Sequence, residues 1–454
     1  MKKSLSVFVY VLLAVNLFGE VIYKKSVDGV DSGNNSKTII LDNTNVLKPN
    51  ISAWSDMEIT NAASNNAFVS LSPGQYRVGY STGGAITIDG KTNVTIDGNG
   101  SGTILKSGLA GDGSGQPCYM IMFIKNSSNI TIKNITFSGL LLANSQVNSG
   151  QGWHMAIKLQ NCSNITIENC NFEGFYTGAI DINTNCRNCR INSCRFDNIA
   201  NVPTSGAHYG AVNLTGDGVE NIQLINNTFT KMKHSGISVY GKPQKLLISQ
   251  NIIEFDSGSS MGMGIYAPQG LRKTIISSNI ITDSPNEAII ISGGIEKVSN
   301  NIIKGNVLKG SYSGITLNEI SSSQQAENNI ITGNNIDGSG TADHGIFVNK
   351  AISTTITNNC IRNCDINGIS LENSTRHTLI SGNSLINCDK GAYVSGESIV
   401  CANSVVNATI GIHYDYTSIV NTISIVHNIM QNVTTTLLKG SNAYSWDMNI
   451  DDNR

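Results

Sequence analysis

Polar and apolar residues alternate with a period of two over short stretches, and these stretches recur along the chain. NITIKNITF (129–137), NITIENCNF (164–172), NIQLINNTF (221–229), TIISSNII (274–281) and TLISGNSL (378–385) come into register with one another. Their spacing of roughly 22 to 35 residues is that of stacked repeat architectures. Each unit carries a second apolar strand after a glycine-containing turn, as in GAIDIN (178–183), GAVNLT (210–215), GISVYG (236–241), GITLNE (314–319), GISLEN (368–373) and GAYVSG (391–396). Alternation in every unit predicts strands and argues against helices. One polar residue type recurs at a fixed point of the repeat: Asn227, Asn251, Asn279, Asn306, Asn334, Asn359, Asn383, Asn403 and Asn428. Stacked about 4.8 Å apart on successive rungs, such amides can bond to one another and satisfy themselves while buried. The pattern predicts a coil of parallel strands with an asparagine ladder inside it.

These units resemble the parallel β-helix repeat of the pectate-lyase-like superfamily, over residues 93–435. The resemblance implies an all-β, single-stranded right-handed parallel β-helix of about 12 to 13 rungs. SLSPGQYRV (70–78) is similar to the family's first strand after a proline-glycine turn. Within the N-terminal segment 20–92, SDMEITNAASNN (55–66) reads as a short helix that closes the open end of the core. A closed end matters because a bare edge strand recruits other chains. Residues 436–454 lack the repeat and are expected to cap it or fray. A repeat of this kind specifies a fold, whereas function has to be argued from a site.

Composition adds limits. The chain has 454 residues, 45 glycines against 7 prolines, and only 14% charged residues with a net charge of -2. No general basic field exists to hold nucleic acid or an anionic membrane, so a polyanionic partner needs a local basic site. Met1 to Gly19 carries two lysines ahead of an apolar stretch short for a membrane span, and reads as a secretory signal. Its removal leaves no stretch long and apolar enough to cross a bilayer, so a secreted, periplasmic or cell-surface protein is expected. Ten cysteines then invite a disulfide reading. Cys170 and Cys194 fall at the ladder position of consecutive rungs, and Cys162/Cys186 and Cys364/Cys388 are also equivalent, so reduced stacks and disulfides both stay open. CRNC (186–189) lacks the second CxxC or histidine pair of a zinc site.

In this superfamily, the resemblance implies, substrate lies along the outer face of the sheet formed by the glycine-led strands. Alternation assigns the outward residues of that sheet as Phe123, Lys158, Asp181, Asn213, Ser238, Tyr266, Ile290, Thr316, Phe347, Ser370, Tyr393 and His413. Lys158, Asp181, Asn213, Ser238 and Tyr266 form a polar, ionisable row about 20 Å long by rung spacing. The edge just before these strands adds His154, Tyr176, His208, Tyr209, Lys233 and His234, and Tyr240 follows Ser238. Long Gly/Ser-rich segments at 138–153, 198–209 and 255–263 enter the same strands, and long loops on a rigid scaffold commonly wall a site. Lys158 beside Asp181 is also consistent with a simple exposed ion pair. His344 and His413 lie outside the cluster and are expected to be surface residues.

Three functions compete for this set. Glycoside hydrolysis needs two flanking carboxyl groups. The resemblance sharpens that comparison: KHSGISVYG (233–241) is similar to the Gly-His-Gly element of polygalacturonases with a serine interposed, but AHYGAVNL lacks the paired aspartates and GIYAPQ lacks Arg or Lys. Asp217, Glu254 and Asp256 stay open as loop carboxylates for another hydrolase. Uronate lyases and C5-epimerases need a base, a group that stabilises the carboxylate dianion, and an acid. Lys158, His208, Tyr209 and His234 are the catalytic candidates for that chemistry, with His154, Asp181, Asn213, Tyr240 and Tyr266 as substrate-binding candidates. The third function is a non-catalytic surface adhesin displaying glycan-binding aromatics. The expected partner is a polysaccharide, and an acidic one stays open. No cofactor is called for; calcium stays open without a carboxylate cluster to support it.

Overall fold

The computed structural model describes residues 46–47, 55–78, 86–100, 102–107, 120–139, 154–199, 210–256, 259, 262–319, 325–415, 423–440 and 448–451. Successive strands wind into a right-handed parallel coil with three sheets along its length. One turn runs through Met155–Gln160, Ser163–Glu168 and Asn171–Glu173, and each strand pairs in parallel with its equivalents one turn earlier and one turn later. The glycine-led strands form the first of these sheets. Their inward residues, among them Ile157, Ile180, Val212, Ile237, Ile265, Ile289, Ile315, Ile346 and Ile369, are fully buried and stack in register. Burial on this scale is the main force that closes the coil.

Within the core, like residues stack on like. The rings of Phe137, Phe172, Phe196 and Phe229 lie 5.0, 4.9 and 4.6 Å apart, nearly parallel. The asparagine ladder runs unbroken from Asn227 to Asn428: each side-chain amide donates to the Oδ1 of the next rung's asparagine at 2.9 to 3.0 Å. Cys194 heads the column, its backbone N–H donating to Asn227 Oδ1 at 2.9 Å. A second internal column was not read from the sequence: the Thr274 backbone N–H donates to Asn301 Oδ1, and the Asn301 side-chain amide and backbone N–H donate to Asn329 Oδ1. The described cysteines are free thiols, most of them buried. In the Cys162/Cys186 stack, the hydrogen bond between the two sulfurs lowers the pKa of Cys162 and, together with burial, raises that of Cys186.

The helix Asp56–Ala62 lies over the first end, with Ile59 and the following Ala63 buried in the core and Thr60 Oγ1 accepting the Thr87 backbone N–H. Strand pairing begins ahead of residue 93, since Phe68–Leu71 pairs with Thr92–Asp97 and Gly74–Val78 with Thr103–Ser107. It also continues past 435, where Met448–Asp451 pairs with Ile423–Val426. Residues 1–19 lie outside the described residues. Among the described residues, no helix is long and apolar enough to cross a membrane.

Candidate functional site

Register on the first sheet places the outward residues in one column. Phe123 pairs with Lys158, Lys158 with Asp181, Asp181 with Asn213, Asn213 with Ser238, and Ser238 with Tyr266. The column then continues through Ile290, Thr316, Phe347, Ser370 and Tyr393 to His413. A parallel column two residues further along the strands holds Asn183, Thr215 and Tyr240.

Depth along the column is uneven. Asp181 is only 1% exposed, with Thr215 Oγ1 donating to its Oδ1 at 2.7 Å and Asn183 Nδ2 donating to its Oδ2 at 3.3 Å. Burial pushes its carboxyl above the usual carboxylate range, against the opposing pull of the Thr215 hydroxyl, the Lys158 ammonium and the Asn183 amide. An exposed Lys158–Asp181 ion pair is therefore not what the fold contains. Lys158 is half-buried, and its ammonium stands 5.9 Å from the centre of the Phe123 ring, at the outer reach of a cation–π contact. Asn213 is turned back on its own strand: its Oδ1 accepts the Gly210 N–H at 2.9 Å and its Nδ2 donates to the Gly210 carbonyl at 3.0 Å. Gly178 makes room for that amide, because a Cβ there would meet Asn213 Nδ2 at 2.7 Å.

The edge histidines divide. His154 is 1% exposed, packs against the Phe175 ring, and accepts the Tyr176 N–H on Nδ1 at 3.3 Å. Burial lowers its pKa to about 4, so it is a neutral imidazole at ordinary pH. His234 is 2% exposed and accepts the Ser235 N–H on Nδ1 at 3.0 Å. His208 and Tyr209 lie outside the described residues. Tyr266 and Tyr240 meet edge to face, 5.8 Å apart, and burial raises the Tyr266 phenol. The structure thus brings Lys158, Asp181, Thr215, Tyr240 and Tyr266 onto one face, with His154 and His234 packed behind its edge.

Several ionisable groups on this face escaped sequence reasoning. Glu287 heads the strand Glu287–Gly293, and burial raises its carboxyl pKa. His344 and His413, expected as surface residues, are partly buried members of a second cluster. His344 stacks on Phe347 at 5.3 Å, and His413 meets the edge of Tyr393 at 5.1 Å. Glu287, His344 and Lys390 share one register position, one residue nearer the strand than His154 and His234. Among the described residues, no group of three or more His, Cys, Asp or Glu side chains is arranged to hold a metal ion.

A family model described as the right handed beta helix region matches residues 14–253 and 210–385. The chain belongs to this family. Solved right-handed β-helix structures align along most of its length. The A-module of the Azotobacter vinelandii mannuronan C-5 epimerase AlgE4 is 13% identical, with 88% of this chain and 96% of that chain covered and a TM-score of 0.46. The catalytic domain of a GH87 alpha-1,3-glucanase in complex with nigerose is 13% identical, with coverages of 94% and 70% and a TM-score of 0.47. PfbA, a surface adhesin of Streptococcus pneumoniae, is 13% identical, with coverages of 84% and 86% and a TM-score of 0.38. No curated protein matches the chain.

Proposed function

We propose that this β-helix protein acts outside the cytoplasm on a uronate-containing polysaccharide laid along its first sheet, by β-elimination or C5-epimerisation. The observation that carries this reading is Lys158 one rung from the buried carboxyl of Asp181. Both reactions remove the proton beside a carboxylate, so negative charge builds on that carboxylate in the transition state. A lysine cation beside a carboxyl whose pKa burial raises is the pair suited to meet it: the cation offsets the charge, and the raised pKa favours the protonated form that donates a hydrogen bond. Asn213 and His234 suit that part less well, because the amide of the first closes on Gly210 and the imidazole of the second is packed behind the sheet edge.

The base and the acid fall to His208 and Tyr209, which directly precede the strand Gly210–Gly216. In elimination, the C5 proton passes to the His208 imidazole, the C4–O bond breaks, and Tyr209 protonates the departing oxygen, leaving a 4,5-unsaturated uronate. In epimerisation, no bond to oxygen breaks and the acid returns a proton to the opposite face of C5. Tyr240 and Tyr266 then serve as flanking sugar contacts. The export expected from residues 1–19 would bring the protein to such a substrate.

The test exposes the purified protein to oligouronates in deuterated water, reading ultraviolet absorbance of the unsaturated product, deuterium at C5 and new reducing ends. Absorbance marks elimination, and deuterium without it marks epimerisation. Reducing ends with neither would sink the proposal in favour of glycoside hydrolysis.

A further inference from the structure

The later half of the same face carries a cluster that the proposed chemistry does not use. His344, Asn367 and Lys390 follow one another along its edge, one rung apart. Asn367 is 4% exposed; its Nδ2 lies 3.3 Å from His344 Nδ1 and donates to Ser370 Oγ at 3.4 Å, and Ser370 Oγ donates to Glu372 Oε1 at 3.3 Å. Ser370 is fully buried between the outward rings of Phe347 and Tyr393, which stand one rung to either side of it. Asp415 pairs with Ser395, and Val394 beside that serine pairs with Leu371, the residue before Glu372. His413 completes the wall beside Tyr393.

The balance of donors and acceptors in this cluster is lopsided. Among the described residues, the buried Oδ1 atoms of Asn349 and Asn367 find no hydrogen-bond partner. Asn349 spends its own amide donor on Asn318 Oδ1 at 2.8 Å. The Glu372 carboxylate only accepts, while Lys390, the nearby cation, is 3.8 Å from Asp389. Buried acceptors without donors are costly unless a ligand supplies the missing N–H or O–H groups. A uronate brings another acceptor and a negative charge, which suits this surface badly.

We propose that this region is a second saccharide site, separate from the one at Asp181, which takes donor-rich, non-anionic sugar residues against the outer faces of the Phe347 and Tyr393 rings with their hydroxyl or ammonium groups on Glu372, Asp415 and Asn367. Aromatic rings present flat apolar faces to sugar C–H groups, and the carboxylates read the donors at the rim. The inference does not rest on the elimination chemistry, since it uses none of those residues.

Isothermal titration of the full chain tests it with cello-oligosaccharides, glucosamine oligomers in free-amine and N-acetylated form, and oligogalacturonates. Tyr393→Ala and the double variant Glu372→Gln/Asp415→Asn are each expected to lose about tenfold or more in affinity for the non-anionic ligands. Oligogalacturonate affinity is expected to stay unchanged in both, and to fall instead in Lys158→Gln. Preference for the free amine assigns the recognised donor as ammonium; equal binding of the acetylated and neutral ligands assigns it as hydroxyl. Thermal unfolding confirms that each variant is folded, and Tyr393→Phe, which keeps the ring, is expected to retain binding. Absence of binding to every non-anionic ligand overturns the proposal, as does a loss of oligogalacturonate affinity equal to that for the other sugars.

Discussion

An asparagine side chain carries both a donor and an acceptor, so a column of them one rung apart closes on itself. Each ladder member also anchors the chain before it; Asn306 Nδ2, for instance, donates both to Asn334 Oδ1 and to the Ile276 carbonyl, and its Oδ1 accepts from Asn279. Replacing Asn306 with alanine strands buried groups on three chain segments at about 1–3 kcal/mol each, so denaturant unfolding is expected to show a loss of roughly 3 kcal/mol or more. The same residue type serves outside the core for another reason. Asn129, Asn164, Asn188 and Asn221 hold left-handed backbone (φ 55°, 56°, 55° and 59°) at one turn of successive rungs, and are linked by side-chain hydrogen bonds of 2.7 to 3.2 Å. Two buried ionisable residues set opposite pH responses. His154, with its pKa lowered to about 4, is neutral when folded, so the unfolded chain binds the extra proton as pH falls below about 6.5. Its contribution is present above that value and is lost toward pH 4, and His154→Gln is expected to flatten the melting temperature across this window. Asp181 has the reverse sign: its carboxyl pKa is raised, so folding favours the protonated form and stability falls as pH rises through the raised value. Asp181→Asn removes that cost while keeping a neutral donor. It is expected to melt higher at neutral pH and, under the proposed mechanism, to lose less activity than Asp181→Ala.

The strands of the first sheet are glycine-led because the chain turns sharply into them against the rung above. A Cβ on Gly345 would meet the Gly368 carbonyl oxygen at 2.6 Å and crowd Ile361, and Gly368 and Gly391 repeat the conflict one rung on. Gly333 is a different case, with open space around it but φ +64°. Gly345→Ala is therefore expected to cost about 1–3 kcal/mol by overpacking, and Gly333→Ala only about 1 kcal/mol through backbone strain; paired denaturation curves check the order. This contrast shows what a sequence of this type makes legible. Register repeats with every rung, so alternation alone lined up Lys158, Asp181, Asn213, Ser238 and Tyr266 on one column. Depth does not follow from alternation. Asp181 is outward in register yet buried, because Thr215 and Asn183 on the neighbouring column close over its oxygens. His154 and His234 carry the edge position that suggested chemistry, but the wall they stand in packs them away from solvent. The late cluster was missed because no member is unusual alone; it takes register to set His344 and Tyr393 against Glu372 and Asp415, residues far apart in sequence.

Along the whole molecule, the first sheet is one face with two chemical halves. Its early half offers Lys158 and the buried carboxyl of Asp181; its late half offers carboxylates and unpaired amide acceptors. Between them, Ile290 and Thr316 are the outward residues, one apolar and one neutral. From Asp181 to His413 the register steps through nine rungs, roughly 43 Å at about 4.8 Å per rung. A rigid coil fixes that distance, so a polymer long enough to reach both halves binds the second as an intramolecular event, whereas a short oligomer engages one half at a time. Under the proposed function, KM is expected to fall steeply once a mixed polymer of uronate and neutral or amino sugars exceeds the length of the face. The gain should be absent for pure oligouronates. Glu372→Gln/Asp415→Asn is expected to abolish this length dependence by raising KM for the long mixed polymer while leaving kcat unchanged, because contacts remote from the reacting bond that hold substrate and transition state alike change KM alone. A fall in kcat with unchanged KM would place the late cluster in the chemistry instead, and equal KM for short and long mixed polymers in the unaltered protein would mean that the two halves do not share a chain.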